Sequence, residues 1–152
     1  MDRPMVDHAA PVRTFAQEFI QADRERVWHT LTDFESWPAW NVAIRRVNVG
    51  GPLAYGASLI WTNARGLTLC ARIARLEPCG SIGWIERAGE LQAGYLLTLA
   101  PRDGGTLATI EASVASGLAH LLPGLTERAL NAGLRRGLAA LRSETERRSA
   151  RG

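Results

Sequence analysis

Hydrophobic and polar positions alternate along most of the chain, and glycine, proline and aspartate break the alternation at intervals. Thr14 to Ala22 reads as a strand. It ends at Asp23, whose carboxylate can cap a helix carrying Val27, Trp28 and Leu31 on one side. A second, short helical turn covers Phe34 to Trp37 until Pro38 interrupts it. Six strands then follow: about Ile44 to Val49, Ala57 to Asn63, Leu67 to Glu77, Ile82 to Ala88, Leu91 to Ala100 and Thr106 to Ala115. Their separators are short and rich in glycine, which favours consecutive antiparallel hairpins over parallel crossovers.

The last periodic stretch predicts a long helix from about Pro123 to about Arg147, roughly 37 Å at 1.5 Å per residue. One ridge is Leu130, Leu134, Leu138 and Leu141; beside it run Ala129, Gly133 and Gly137. Glycine inside a helix costs about 1 kcal/mol relative to alanine, so two of them one turn apart need a reason. Either the backbone packs closely on the sheet, or space is left for something else.

Hairpin register can be counted from the turns, because a slip of one residue sends every side chain to the other face. A turn at Gly89 and Glu90 pairs Glu86 with Ala93, Trp84 with Tyr95 and Ile82 with Leu97. One at Asp103 and Gly104 pairs Leu97 with Ile110 and Tyr95 with Ala112. A turn at Cys79 and Gly80 sets Arg75 opposite Trp84 and Ile73 opposite Glu86, and a loop at Ala64 to Gly66 sets Trp61 opposite Leu69. One face therefore collects Leu59, Trp61, Leu69, Ala71, Ile73, Trp84, Tyr95, Leu97, Ile110 and Ala112, with Glu86 and Arg75 as its charged members. Glu111 falls on the opposite, solvated face. For the first strand the Phe15, Gln17, Phe19 face and the Ala16, Glu18, Ile20 face remain alternatives, so Glu18 is unassigned.

Glu86 on such a face has its pKa raised by burial or its charge paired, which suits general acid or base work or the orienting of a ligand's polar group. Alternatively it reaches solvent or pairs diagonally with Arg75. Tyr95 carries a hydroxyl that needs a partner when buried. Trp37 and Trp40, flanking Pro38, and His120, just before the long helix, are candidates for a cavity rim.

Composition narrows the functional classes. The 152 residues are 46% hydrophobic and 22% charged, which suits one globular domain. We expect that domain over 13–148, with tails at 1–12 and 149–152. All 18 cations are arginine, so Schiff-base chemistry on a lysine and a lysine-dependent phosphate loop are excluded. From Leu118 onward seven arginines face three glutamates, a local excess of +4 on one helix and its tail. No aromatic residue follows Tyr95, so a stacking platform for nucleic acid is not indicated. No run reaches the ~18 apolar residues of a membrane span, and no apolar signal core precedes Arg13, so a cytoplasmic location is expected. Cys70 and Cys79 read as reduced thiols. His8, His29 and His120 lack metal-ligand spacing, Ser113, Ser116 and His120 lack a nucleophile elbow, and no metal or cofactor is expected.

The order strand, two short helices, six-stranded meander and long helix resembles the START-like, or SRPBCC, superfamily, in particular its polyketide cyclase/dehydrase-like branch. The likeness is carried by Ala22 to Trp28, Leu31 to Phe34 and Trp37 to Asn41, and further on by Gly56, Ile73 to Pro78, Trp84, Gly105 with Thr106, Gly117 and Leu138 to Leu141. It implies an α+β helix-grip fold: a curved seven-stranded antiparallel sheet (β-α-α-β6-α) around the C-terminal helix, enclosing an apolar cavity. With the register above, Trp61, Leu69, Ile73, Trp84, Glu86, Tyr95, Leu97, Ile110, Gly133 and Gly137 would meet a ligand there. The expected function is binding of a hydrophobic or aromatic small molecule, a polyketide, isoprenoid or lipid-like compound. One alternative is an aromatase/cyclase-type enzyme using Glu86, Tyr95 and Arg75; another is a co-chaperone-like protein-interaction module. A monomer and a dimer are both compatible with the sequence.

Overall fold

The computed structural model describes residues 5–151. Seven strands form one antiparallel sheet: β1 (Val12–Ile20), β2 (Ile44–Val49), β3 (Ser58–Asn63), β4 (Thr68–Glu77), β5 (Ser81–Ala88), β6 (Leu91–Arg102) and β7 (Gly105–Ala115). Their order is β1-β7-β6-β5-β4-β3-β2, so every neighbouring pair except β1 and β7 is a hairpin in sequence. Between β1 and β2 lie α1 (Arg24–Thr32), a 3₁₀ turn (Phe34–Ser36) and α2 (Trp37–Trp40); after β7 come α3 (Gly117–Leu121) and α4 (Pro123–Arg151). The fold is α+β with a helix grip, as the sequence leads one to expect.

Local chemistry sets the elements. Asp23 caps α1 by accepting the Arg26 backbone N–H at 2.9 Å, and Val27, Trp28 and Leu31 bury the inner side of that helix. Pro38 does not end a helical turn as its ring suggests; it sits in the first turn of α2, where no backbone N–H is needed from it. Ser116 caps α3, a short helix over residues to which the sequence pattern assigns no element.

The counted registers of the Gly89 and Asp103–Gly104 hairpins are those observed, with Trp84 opposite Tyr95 and Leu97 opposite Ile110. Trp61 lies opposite Leu69, and Gly66 turns the chain there with φ 86°. The β4–β5 hairpin differs. Its loop is Pro78, Cys79 and Gly80, so that Glu77 pairs with Ser81 and Arg75 with Gly83, and a bulge then brings Ile73 opposite Trp84. Leu76 and Ile73 are three residues apart, which strict alternation cannot place on one face; the extra residue of the bulge does. Arg75 is thereby turned to the convex face, where its Nε donates to Ser81 Oγ and its Nη2 to Glu77.

The first strand resolves in favour of the Ala16 and Ile20 side as the buried one, whereas Phe15 is 62% exposed. Glu18 shares the inward side and pairs with Arg142 of α4 at 2.8 Å. Further polar bonds fasten α4 along β1: Asn131 Nδ2 donates to Thr14 Oγ1 and the Phe15 carbonyl, and the Gln21 backbone N–H donates to Glu146. Near its end, the buried Glu144 accepts from Arg147 and Arg148, which hold its pKa down to about 2. Arg148 also reaches Asp33, tying α4 to the end of α1.

The described residues ahead of β1, from Met5 on, lie against the convex face. The Asp7 N–H donates to Ser113 Oγ at 2.9 Å and Val6 is buried. Met5 runs so close to the sheet that a Cβ at Gly94 would collide with its carbonyl oxygen, and one at Gly83 with its sulfur. At Gly94, where the obstacle is backbone, only glycine fits beneath it. Residues 1–4 of the expected N-terminal tail and Gly152 of the expected C-terminal tail lie outside the described residues; 149–151 continue α4. Cys70 and Cys79 are free thiols, and no helix among the described residues is long and apolar enough to cross a membrane.

Candidate functional site

Between the concave face of the sheet and α4 lies a cavity of about 370 Å³. Its floor is Trp61 and Asn63 of β3, Leu69 of β4, Trp84 and Glu86 of β5, Tyr95 and Leu97 of β6 and Ile110 of β7. Leu31, Trp37 and Trp40 close one side, Asn41, Ala43 and Ile44 form the lip, and α4 provides the roof from Ala129 to Leu141. A Cβ added at Gly133 or Gly137 would meet nothing within 4 Å. The small ridge of the long helix therefore leaves space rather than allowing close backbone packing.

Aromatic rings form a continuous chain through this region. Trp37 stacks on Trp61 with centroids 5.6 Å apart, Trp61 meets Trp84 edge-on at 6.0 Å, and Trp84 stacks on Tyr95 at 5.2 Å. Trp37 and Trp40 spend their indole N–H groups locally, on the Leu31 carbonyl and on Ser36 Oγ. The Trp84 indole does not: its Nε1 donates to Glu86 Oε1 at 3.2 Å.

Glu86 is the one carboxylate of the cavity wall and is only 7% exposed. Burial pushes its pKa up to about 7, and hydrogen bonding from Trp84, Tyr95 and Trp61 limits the rise. The same burial, followed by the Glu86 charge and hydrogen bond, drives the Tyr95 phenol well above its ordinary value, so it stays protonated near neutrality. The pair thus offers a group near its midpoint at neutral pH beside a permanent donor, which is suited to exchanging a proton with a bound molecule or to holding its polar group.

Of the residues singled out in the sequence, Trp61, Leu69, Trp84, Glu86, Tyr95, Leu97, Ile110, Gly133 and Gly137 all line the cavity, as do Trp37 and Trp40. Ile73 is buried beside Trp84 in the core and is not part of the wall. Arg75 is a correction: it lies on the convex face, because the three-residue loop shifts its register by one, to Gly83, before the bulge restores the facing at Ile73, and it cannot reach Glu86's side of the sheet. His120 is a second correction, since it is exposed on α3 and does not border the cavity. Asn41 and Asn63 are wall residues that the sequence pattern does not single out; each side chain caps a local turn, accepting from Ala43 N–H and from Arg65 and Leu67 N–H respectively. The register that places Trp61 inward places Asn63 inward as well, which is the signal that could find it.

A broader depression of about 810 Å³ lies on the convex face beneath the N-terminal segment. Its lining mixes Arg72, Arg75 and Arg87 with apolar residues such as Met5, Ile85 and Ala115, and holds no buried ionisable group. The chemistry concentrates on the concave side. Among the described residues no three His, Cys, Asp or Glu side chains are grouped to hold a metal ion.

Comparison with known proteins bears on the whole domain. The sequence profile of a family described as polyketide cyclase / dehydrase and lipid transport matches residues 12–146. No curated protein matches the chain in sequence. Among solved structures, a hypothetical protein from Helicobacter pylori superposes with a TM-score of 0.82 at 13% identity, covering 95% of each chain. A START superfamily protein from Mycobacterium smegmatis gives 0.77 at 16% identity, over 89% of this chain and 97% of that one. The di-domain ARO/CYC of the steffimycin biosynthetic pathway gives 0.75 at 15% identity, over 91% of this chain and 52% of that one. At such identities the likeness is one of fold.

Proposed function

The chain belongs to the polyketide cyclase / dehydrase and lipid transport family, and on that premise we propose that it encloses one apolar or aromatic small molecule in the concave cavity, with Glu86 and Tyr95 meeting the ligand's polar group. The observation that carries this reading is the empty space over Gly133 and Gly137. A helix that gives up about 1 kcal/mol of propensity at each of two glycines, and gains no close packing in return, is shaped for an occupant. Leu69, Leu97, Ile110 and the indoles supply apolar contact, and Glu86 with Tyr95 supplies orientation.

Thermal melts against a panel of aromatic, isoprenoid and acyl compounds test this reading. A compound at a hundred times its dissociation constant is expected to stabilise the fold by about 2.7 kcal/mol through mass action. A panel that leaves the melting temperature unmoved throughout would remove it.

A second reading, favoured by the Glu86 midpoint of about 7, makes the protein a cyclase-type enzyme. Glu86 as carboxylate takes a proton from a carbon next to a carbonyl, and the resulting acid returns it to a departing hydroxyl as water leaves. In that case Glu86→Gln abolishes turnover of a polyketide-like substrate while leaving its affinity within a few fold. If the substitution changes affinity alone, binding is the function.

A further inference from the structure

What surrounds Glu86 is one-sided, and this narrows the chemical class of ligand, on the reading that the cavity binds one. Ala71 of β4 and Ala93 of β6 flank Glu86 in the sheet. Trp84 directs its indole N–H at the carboxylate, and the Trp61 and Tyr95 rings pack against Trp84 beside it. The roof contributed by α4 consists of leucine, alanine and glycine, and α1 and α2 add only Leu31, Trp37 and Trp40. Tyr95 is the sole other titratable group on the wall, and none of the chain's 18 arginines lies on it among the described residues.

The Trp84 indole N–H donates and never accepts, so Glu86 Oε1 is held as an acceptor. The cavity buries a carboxyl group and contains no cation to pair with it. A buried carboxylate provided with a donor and lacking a counter-charge is half of an ion pair. A ligand carrying its own carboxylate or phosphate would confront Glu86 with nothing to neutralise either group. The single bond from Trp84 leaves most of the carboxylate's roughly four lone-pair directions free.

We propose that the ligand is a lipophilic amine, whose apolar framework fills the space beneath Gly133 and Gly137 and whose protonated nitrogen donates to Glu86. The ammonium completes the pair, and the neighbouring indole and phenol rings add cation–π attraction. Fatty acids and phosphorylated lipids are disfavoured at this position while Glu86 is ionised.

Three probes of matched shape separate the possibilities: 2-(aminomethyl)naphthalene, 2-naphthalenemethanol and 2-naphthoate, titrated calorimetrically into the full chain. At pH 8 the amine is expected to bind at least about tenfold more tightly than the alcohol, with naphthoate weakest. Because pairing requires Glu86 to be ionised, the amine's affinity is expected to fall by about tenfold per pH unit once the pH drops below about 7, and the alcohol's to hold. In Glu86→Gln the amine's advantage over the alcohol disappears. An alcohol or naphthoate that binds as tightly as the amine, an amine affinity without that pH dependence, or an amine preference that survives in Glu86→Gln overturns the proposal and leaves the cavity reading standing. Failure of all three probes to bind overturns both.

Discussion

The Trp84 indole donates to a carboxylate oxygen of Glu86, two residues along the same strand and on the same face of the sheet, at 3.2 Å. Successive inward positions on β5 thus form a donor and acceptor pair inside an apolar chamber. Removing the donor alone exposes its electrostatic share. Trp84→Phe keeps a ring to stack on Tyr95 and deletes the N–H, so the Glu86 midpoint is expected to rise above its present value of about 7. A carbon-13 NMR titration of glutamate carboxyls reads this directly, and an unchanged midpoint would show that the bond does not support the charge.

Stability should carry the same signature. Glu86 binds its proton more tightly in the folded chain, with a midpoint of about 7 against 4.5 for an unperturbed glutamate. Its contribution is therefore fully present below pH 4.5 and lost as the pH rises through about 7. The change amounts to about 3 kcal/mol at most. Urea unfolding of the wild type and of Glu86→Gln at several pH values isolates it, because every other carboxylate cancels in the difference. The variant is expected to gain on the wild type between pH 4.5 and 8; a constant difference would contradict the burial argument.

Tight turns make the concave face legible from the sequence alone. Gly89 with Glu90, and Asp103 with Gly104, leave two residues between strands, so pairing follows by counting, and Trp84, Tyr95, Leu97 and Ile110 fall on one face. Counting fails where the turn has no such signature. Cys79 takes φ 62°, a conformation in which glycine or asparagine would be looked for, and the bulge after Ile73 leaves no mark in the pattern beyond the three-residue gap from Ile73 to Leu76. Arg75 is misplaced by counting for that reason. The facing of β1 cannot be counted, because its partner β7 is far away in sequence and no turn joins them. Gly133 and Gly137 are visible in the sequence as a small ridge, but whether space or backbone lies beneath them is a property of the sheet's curvature.

Filling that space is the direct test of its use. A leucine at position 137 has room for its Cβ and regains about 1 kcal/mol of helix propensity, so Gly137→Leu is expected to melt no lower than the wild type. Ligand-induced stabilisation is expected to vanish in the same protein. A melting temperature reduced by the equivalent of the 1–3 kcal/mol typical of overpacking would mean that the cavity is not available at this position.

On the opposite face the expectation is reversed. Gly94→Ala puts a methyl group where the Met5 carbonyl oxygen now lies. Neither backbone can yield in place, so the segment around Met5 and Val6 is expected to leave the sheet. The cost is roughly 1–3 kcal/mol, and protease cleavage before Val12 should accelerate. Cleavage at the wild-type rate would show that the contact is not maintained in solution.

The pairing of β1 with β7 also orders events in time. Within the domain β1 is synthesised first, yet its one strand neighbour follows by about ninety residues, and its other flank is covered by α4, later still. At 5–20 residues per second, β1 waits on the order of ten seconds for β7. Meanwhile β2 to β7 can zip up hairpin by hairpin as each emerges. Val12, Ala16 and Ile20 stay uncovered through that interval. The strand born first is sealed by the elements born last, which makes the closing of this seam the step most exposed to aggregation on the ribosome.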